Sequence, residues 1–491
     1  MKKLLFLLIT FTYFSFALEK IPAVNPSGIL IAEPNVVNFH VPPPKSFGLP
    51  NAALAQNANI EINFLPANSS DTQWGDHAVE WPVEVSNAFV YAVSIWESII
   101  ESSVPITIDA AWVDNLPLGV LGHSGALNYF RDFSGAPRSG TFYPITLANA
   151  LHGADLDPTQ ADIYMGFSST FNWYSGTDGS TPNTKYDLAS VVLHEICHGL
   201  GFSGSLYVDG GIGKWWWSGY PKSYDVFTED NSGKNLIDTT VYPENSAALA
   251  DVLTSSKVYF NGAAANAANG GGKVKLYCPA TWQSGSSYSH LDEIFNGTPN
   301  ALMTYSIGKG ESEHSPGTVT LGLLADIGWS TKVTFSLKKF KGKIFWKAGD
   351  KFQLGNLKIS GSINSSLTDL SFLSGLSTTN LVILNSCLAL PCGEFTVNKK
   401  GTSAKATLKE NDNKVTTKFK LKKGVLYFTY VNKNCENLFS ALGINNADTD
   451  NWQANSAEFL ISITDGCESI AIDGAANYIY KTKQDKKTTF K

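Results

Sequence analysis

Arginine occurs only twice in the 491 residues, at Arg131 and Arg138, and charged residues make up just 16% of the chain. So little basic clustering argues against nucleic-acid binding, because no arginine-rich or base-stacking motif is present. Low charge with 12% aromatics argues equally against a disordered chain. Long apolar runs are missing beyond the first residues, so no segment is expected to span a bilayer. Cysteine is absent before Cys197, which excludes a cysteine-based block of a metal site from the N-terminal region. Methionine is scarce: after Met1 only Met165 and Met303 remain.

What is present begins with Met1-Lys2-Lys3 and an apolar run that closes on Ser15-Phe16-Ala17. A basic start, an apolar middle and a small-x-small end predict a secretory signal peptide over residues 1–17. The expected location is therefore secreted, extracellular or periplasmic. In such an oxidising setting six cysteines suggest disulfides. Cys197 with Cys278, Cys387 with Cys392, and Cys435 with Cys467 are the expected pairs. A free, buried Cys197 is the rival, since a cysteine inside a helix often serves as a small hydrophobe.

The length implies more than one domain. Residues 18–57 are rich in Pro, Asn and Ala, lack clear periodicity, and read as an N-terminal arm or propeptide. His40 or an early aspartate is its candidate for blocking a metal site. Regular patterns start near residue 58. Residues 60–64 alternate like a strand, residues 78–100 read as a helix with Val85, Phe89, Val93, Trp96 and Ile99 on one side, and residues 105–112 and 161–167 read as further strands. Residues 205–285 form a long insertion containing Trp215-Trp216-Trp217, which reads as packing of an irregular loop rather than a substrate contact. Residues 331–491 change character to many short alternating segments, which predicts an all-β, sandwich-like domain. The fold class expected is α+β: a twisted sheet with two helices over residues 58–330, followed by that β domain. The last part holds 23 lysines against 13 acidic residues, while the remainder holds 14 basic and 30 acidic residues. A basic domain could dock on an anionic cell surface, although a solvated lysine-rich face is the simpler reading.

The chemistry is carried by His194-Glu195-Ile196-Cys197-His198, followed by Gly199-Leu200-Gly201. Two histidines four apart project from one helix face about one turn apart, suited to a single Zn2+ ion. Glu195 between them is placed to activate water. A catalytic zinc needs a third protein ligand. A histidine six residues after His198 would complete a compact site, but Gly204 stands there. Glu229 and Asp225 are acidic candidates without a supporting motif. His290 is the leading choice, with His314 as its substitute; His123 and His152 lack ligand spacing.

His290 precedes Asn300-Ala301-Leu302-Met303-Thr304-Tyr305, and Leu321-Gly322-Leu323-Leu324-Ala325-Asp326 follows. In this order the chain resembles the metzincin clan of zinc peptidases, leishmanolysin-type peptidases in particular, over about residues 58–330. The long insertion, the cysteine inside the motif and the lack of dense disulfides depart from that pattern. The resemblance implies that Gly201 ends the helix at positive φ, that Met303 lies beneath the metal, and that Tyr305 stabilises the tetrahedral intermediate. An ordinary core methionine and a packed tyrosine are the plain alternatives. The expected function is a secreted zinc-dependent endopeptidase acting on protein or peptide substrates. Glu195 would take a proton from the activated water and return it to the leaving amine. An exported adhesin with a structural or vestigial zinc site is the alternative, and a zinc hydrolase of non-peptide amides is a third reading.

Overall fold

The structure, a computed structural model, describes residues 18–44, 58–216 and 219–329. In the C-terminal part it describes 336–345, 354–364, 379–383, 395–410, 413–422, 425–435, 453–464, 469–483 and 487–490. The expected signal peptide, residues 1–17, lies outside the described residues. No helix among the described residues is long and apolar enough to cross a membrane.

The first domain is built on a seven-stranded sheet. Its main strands are β1 (Gly28–Val36), β2 (Ile60–Phe64), β3 (Ile106–Val113), β4 (Val120–Ala126), β5 (Ile163–Ser168) and β6 (Ser306–Lys309), with Ala78–Val79 pairing onto β3. Their spatial order is β6-β1-β4-β5-β3-β2. β2, β3 and β5 run parallel, whereas β4 is antiparallel to β5 and β1 antiparallel to β4. Among the described residues six helices accompany the sheet and the insertion: α1 (Val83–Glu97), α2 (Ile145–His152), α3 (Leu188–Gly199), α4 (Ala247–Leu253), α5 (Ala263–Ala268) and α6 (Gly317–Ile327). The domain is thus a mixed α+β structure.

The apolar face expected on α1 is buried: Val85, Phe89, Val93, Trp96 and Ile99 are all 4% exposed or less. Each large side chain in that stripe contributes about 2–3 kcal/mol by leaving water. The helix starts five residues later than the periodicity suggested, because Pro82 occupies the N-cap with ψ 135° and Ala78–Val79 is drawn into the sheet. The Trp96 indole N–H donates to the Leu193 carbonyl at 3.0 Å, tying α1 to α3.

Residues 18–44 hold more order than their composition suggested. Glu19–Pro22 pairs antiparallel with Asn128–Arg131, β1 enters the sheet between β4 and β6, and His40–Val41 pairs with Ser312–Glu313. Along β1 only Gly28 and Leu30 are buried, a pattern too brief to register as periodicity. The insertion carries a hairpin (Leu206–Asp209 with Ile212–Trp215) and a small antiparallel sheet of Thr228–Asp230, Val258–Phe260 and Val274–Lys275. Trp215 is buried and Trp216 stacks on Tyr207 at 4.5 Å, while Trp217 is outside the described residues. In the C-terminal part ten antiparallel strands, from Ser336–Phe345 to Lys487–Phe490, follow one hydrogen-bonded path. The described residues of that part are all in or beside strands of this single continuous ladder, with no second sheet among them to make the expected sandwich.

Candidate metal centre

All twelve residues of α3 are buried. Such a helix can be apolar all round, which is why its sequence, with Val191, Val192, Leu193 and Ile196, lacks a polar face. Asp187 caps it: one carboxylate oxygen accepts from the Ser190 amide at 2.8 Å and its hydroxyl at 2.7 Å. At the other end Gly201 sits at φ +108°, the positive region expected for it, and turns the chain beneath Pro144 and Ile327. The Trp329 indole then donates to the Leu200 carbonyl at 2.7 Å, closing the last turn against the end of the domain.

The fold brings His194, His198 and His290 together, all fully buried. Their Nε2 atoms lie 3.0 Å (His194–His198), 3.1 Å (His194–His290) and 3.2 Å (His198–His290) apart. Each Nδ1 faces a main-chain carbonyl: Leu302 for His194 at 2.6 Å, Phe202 for His198 at 2.7 Å, Ser286 for His290 at 2.7 Å. A carbonyl only accepts, so every Nδ1 must carry the proton and every Nε2 must present a lone pair. Three converging lone pairs repel unless a cation sits among them. Tetrahedral bonds of ~2.0–2.1 Å would space such nitrogens about 3.3 Å apart, close to the observed triangle. Burial also holds these imidazoles neutral, pulling His194 down to about 4 and His198 and His290 well below their ordinary value. The donor set therefore fits Zn2+.

Glu195 is fully buried, and neither carboxylate oxygen has a hydrogen-bond partner. Its main-chain carbonyl accepts from the Ser124 hydroxyl on β4 at 2.5 Å. Burial drives the carboxyl well above its ordinary range. Met303 is buried in a short 3-10 turn, Ala301–Met303, whose Leu302 carbonyl is the one that orients His194. Tyr305 is half-buried, with its ring stacked on Tyr277 at 4.1 Å.

Other candidates are engaged elsewhere. Asp225 accepts from Ser205, the Lys222 amide and Tyr288, and Glu229 pairs with Lys273. His314 bonds Asp187 at 2.9 Å and Tyr91 at 3.2 Å. His123 faces Asp76, and His152 meets the Ser134 carbonyl. His40 bonds the Ser312 hydroxyl at 2.7 Å, so it does not block the site. Cys197 and Cys278 are free thiols, not the expected disulfide. Both are buried in the hydrophobic core, where they pack as small hydrophobes. Cys387, Cys392 and Cys467 lie outside the described residues, as does the Cys435 side chain.

Several contributors were not legible in the sequence. Tyr288, next to Ser289-His290, adopts φ +73°, a costly conformation for a bulky residue. It is held there by its hydroxyl on Asp225 and Thr228 and by the Tyr224 hydroxyl on its carbonyl. Lys222 is buried below the site with Nζ on Ser203 at 2.9 Å and Tyr129 at 3.1 Å, and its charge helps to depress His198. Nothing in the local sequence of a lone lysine or tyrosine marks such roles.

Among known proteins, the family described as SPBPB7E8-like matches residues 141–213, a span that holds His194, Glu195 and His198 but stops before His290. No curated protein and no solved structure matches the chain.

Proposed function

We propose that the protein is a zinc-dependent endopeptidase with a metzincin-like first domain, working outside the cytoplasm as its N-terminal sequence suggests. The observation that carries this reading is the three convergent Nε2 atoms beside an unpartnered, buried Glu195. A purely structural site has no use for that carboxylate. His194, His198 and His290 would hold the ion. When bound, zinc supplies Lewis acidity, which makes water a better nucleophile and polarises a carbonyl. Glu195 takes the proton from the attacking water and delivers it to the leaving amine. Its two oxygens are free for that work because no side chain competes for them. The sequence order of sheet, zinc helix, methionine turn and closing helix α6 supports the metzincin-like reading. Tyr305 would need to leave Tyr277 to stabilise the oxyanion.

Glu195→Gln tests the proposal. The variant should bind zinc at the wild-type stoichiometry and lose casein hydrolysis by at least a hundredfold, the scale of general acid–base catalysis. Wild-type turnover in the variant would refute it.

A further inference from the structure

Resting on the peptidase reading, we propose that residues 26–36 are a built-in pseudosubstrate: the chain fills its own peptide cleft with β1 until that strand is displaced. The case is geometric. Without β1, the strand β4 would be a bare sheet edge beside α3, with β6 as the opposite rim. An extended peptide binds such an edge by adding a strand. β1 does this on both sides. Against β4 it pairs Gly28 with Ser124, Ile29 with His123 and Leu30 with Gly122, antiparallel. Ser27 donates its amide to Ser124 at 2.6 Å and Ala32 to Gly119 at 2.8 Å. On its other side, against the segments that precede and follow His290, Ile29 donates to Gly285 and Ile31 to Tyr305, each at 3.0 Å.

The strand crosses directly over the metal ligands. A Cβ on Gly28 would lie 2.1 Å from Nε2 of His198 and 2.3 Å from its Cδ2 and Cε1. Only a residue without a side chain can pass there. The next buried residue, Leu30, is 2% exposed and pairs with Gly122, where an added Cβ would lie 3.3 Å from Oε1 of Glu195. Among the described residues the arm offers no ligand of its own to the three histidines, so it obstructs by position. This defines the occupant the cleft accepts: an extended chain with glycine against His198 and an aliphatic residue two places on.

The attachment has the character of a clamp outside the cleft. Lys20 pairs with Asp157, Glu19 pairs with Arg131, and the Ser27 hydroxyl meets Tyr129 at 2.8 Å. The two ion pairs reach the domain surface, Lys20 and Glu19 being 42% and 43% exposed, and can be loosened without touching the histidines.

The test uses the full zinc-loaded chain. Ile31→Pro removes the amide that bonds Tyr305, and a Glu19→Lys, Lys20→Glu double variant reverses both ion pairs. A third variant, Glu19→Cys with Arg131→Cys, joins directly paired strand positions by a disulfide and locks the arm. Casein hydrolysis and the rate of zinc loss to a chelator are both measured. The loosened variants should gain at least tenfold in each, and the locked chain should gain tenfold in each on reduction. Faster zinc loss without hydrolysis would retain the plug and sink the peptidase reading. Wild-type zinc loss in the loosened variants, or equal zinc loss from the oxidised and reduced locked chain, would overturn the plug while leaving the peptidase reading intact. Should the loosened variants fail to fold, the oxidised–reduced comparison decides alone.

Discussion

Asp187→Ala should cost far more than a surface carboxylate, and the structure says how much. The side chain is 0% exposed and sits at the N-cap of the helix that carries His194, Glu195 and His198. Losing a helix cap costs about 1 kcal/mol. The same carboxylate also accepts from His314 Nε2 at 2.9 Å and from the Thr181 hydroxyl at 2.7 Å. Both partners are buried, so each loses its acceptor without gaining water. A stranded buried donor costs roughly 1–3 kcal/mol. Thr181 can rotate its hydroxyl, whereas the imidazole of His314 is fixed by Tyr91 on its other nitrogen. The expected loss is therefore about 3–4 kcal/mol. Asp187→Asn keeps the cap and one acceptor oxygen, and the Thr181 hydroxyl can turn to accept from the new amide, so it should cost about 1 kcal/mol. Urea unfolding followed by tryptophan fluorescence measures both, Trp96 being bonded to the same helix. If the two variants fall within 0.5 kcal/mol of each other, the network argument is wrong.

His290→Ala should abolish stoichiometric zinc binding while His314→Ala keeps it; equal zinc in both purified variants would remove His290 from the ligand set. Cys197 and Cys278 should resist alkylation in the native protein and label fully in guanidinium without reductant; mass spectrometry showing a 197–278 linked peptide would contradict the free thiols. Asp162, accepting from Thr107 and Asn149, is raised by burial to about 6. A raised carboxyl contributes stability that is full below its unfolded value near 4 and is lost as pH climbs through 6. The stability of Asp162→Asn relative to wild type should therefore improve by about 2 kcal/mol between pH 4 and 7, and a difference that stays flat with pH would exclude the effect.

How much could be read beforehand depended on where the signal was local. The alternation of residues 60–64 and the stripe from Val85 to Ile99 are properties of short windows, and both appear in the structure. The motif from His194 to His198 is similarly local, and so is the positive φ of Gly201. His290 needed elimination across some ninety residues, and the fold does bring it to the other two histidines. Cys197 and Cys278 misled because an even cysteine count speaks about compartments, not about geometry. Here two thiols lie buried in the core and are not joined. The arm was the largest omission. Gly28 and Leu30 are ordinary residues in an ordinary sequence, and only the sheet order reveals that they lie beside α3.

That omission follows from how the centre is assembled. The three imidazoles are oriented by main-chain carbonyls of Phe202, Ser286 and Leu302, which belong to the helix exit, the end of the insertion and the methionine turn. A carbonyl carries no residue identity, so no substitution pattern can advertise it and no single side-chain change can remove it. Orientation of the ligands is then a property of how three segments meet. The strained Tyr288 and its hydroxyl bonds to Asp225 and Thr228 act on one of those segments. The long insertion consequently cannot be an idle appendage: Asp225 and Thr228 lie within it, and together they fix the backbone that presents His290. Substituting Asp225 should therefore disturb zinc binding although it lies outside the ligand set, because its loss frees Tyr288 to relax out of its left-handed conformation and turn His290 away.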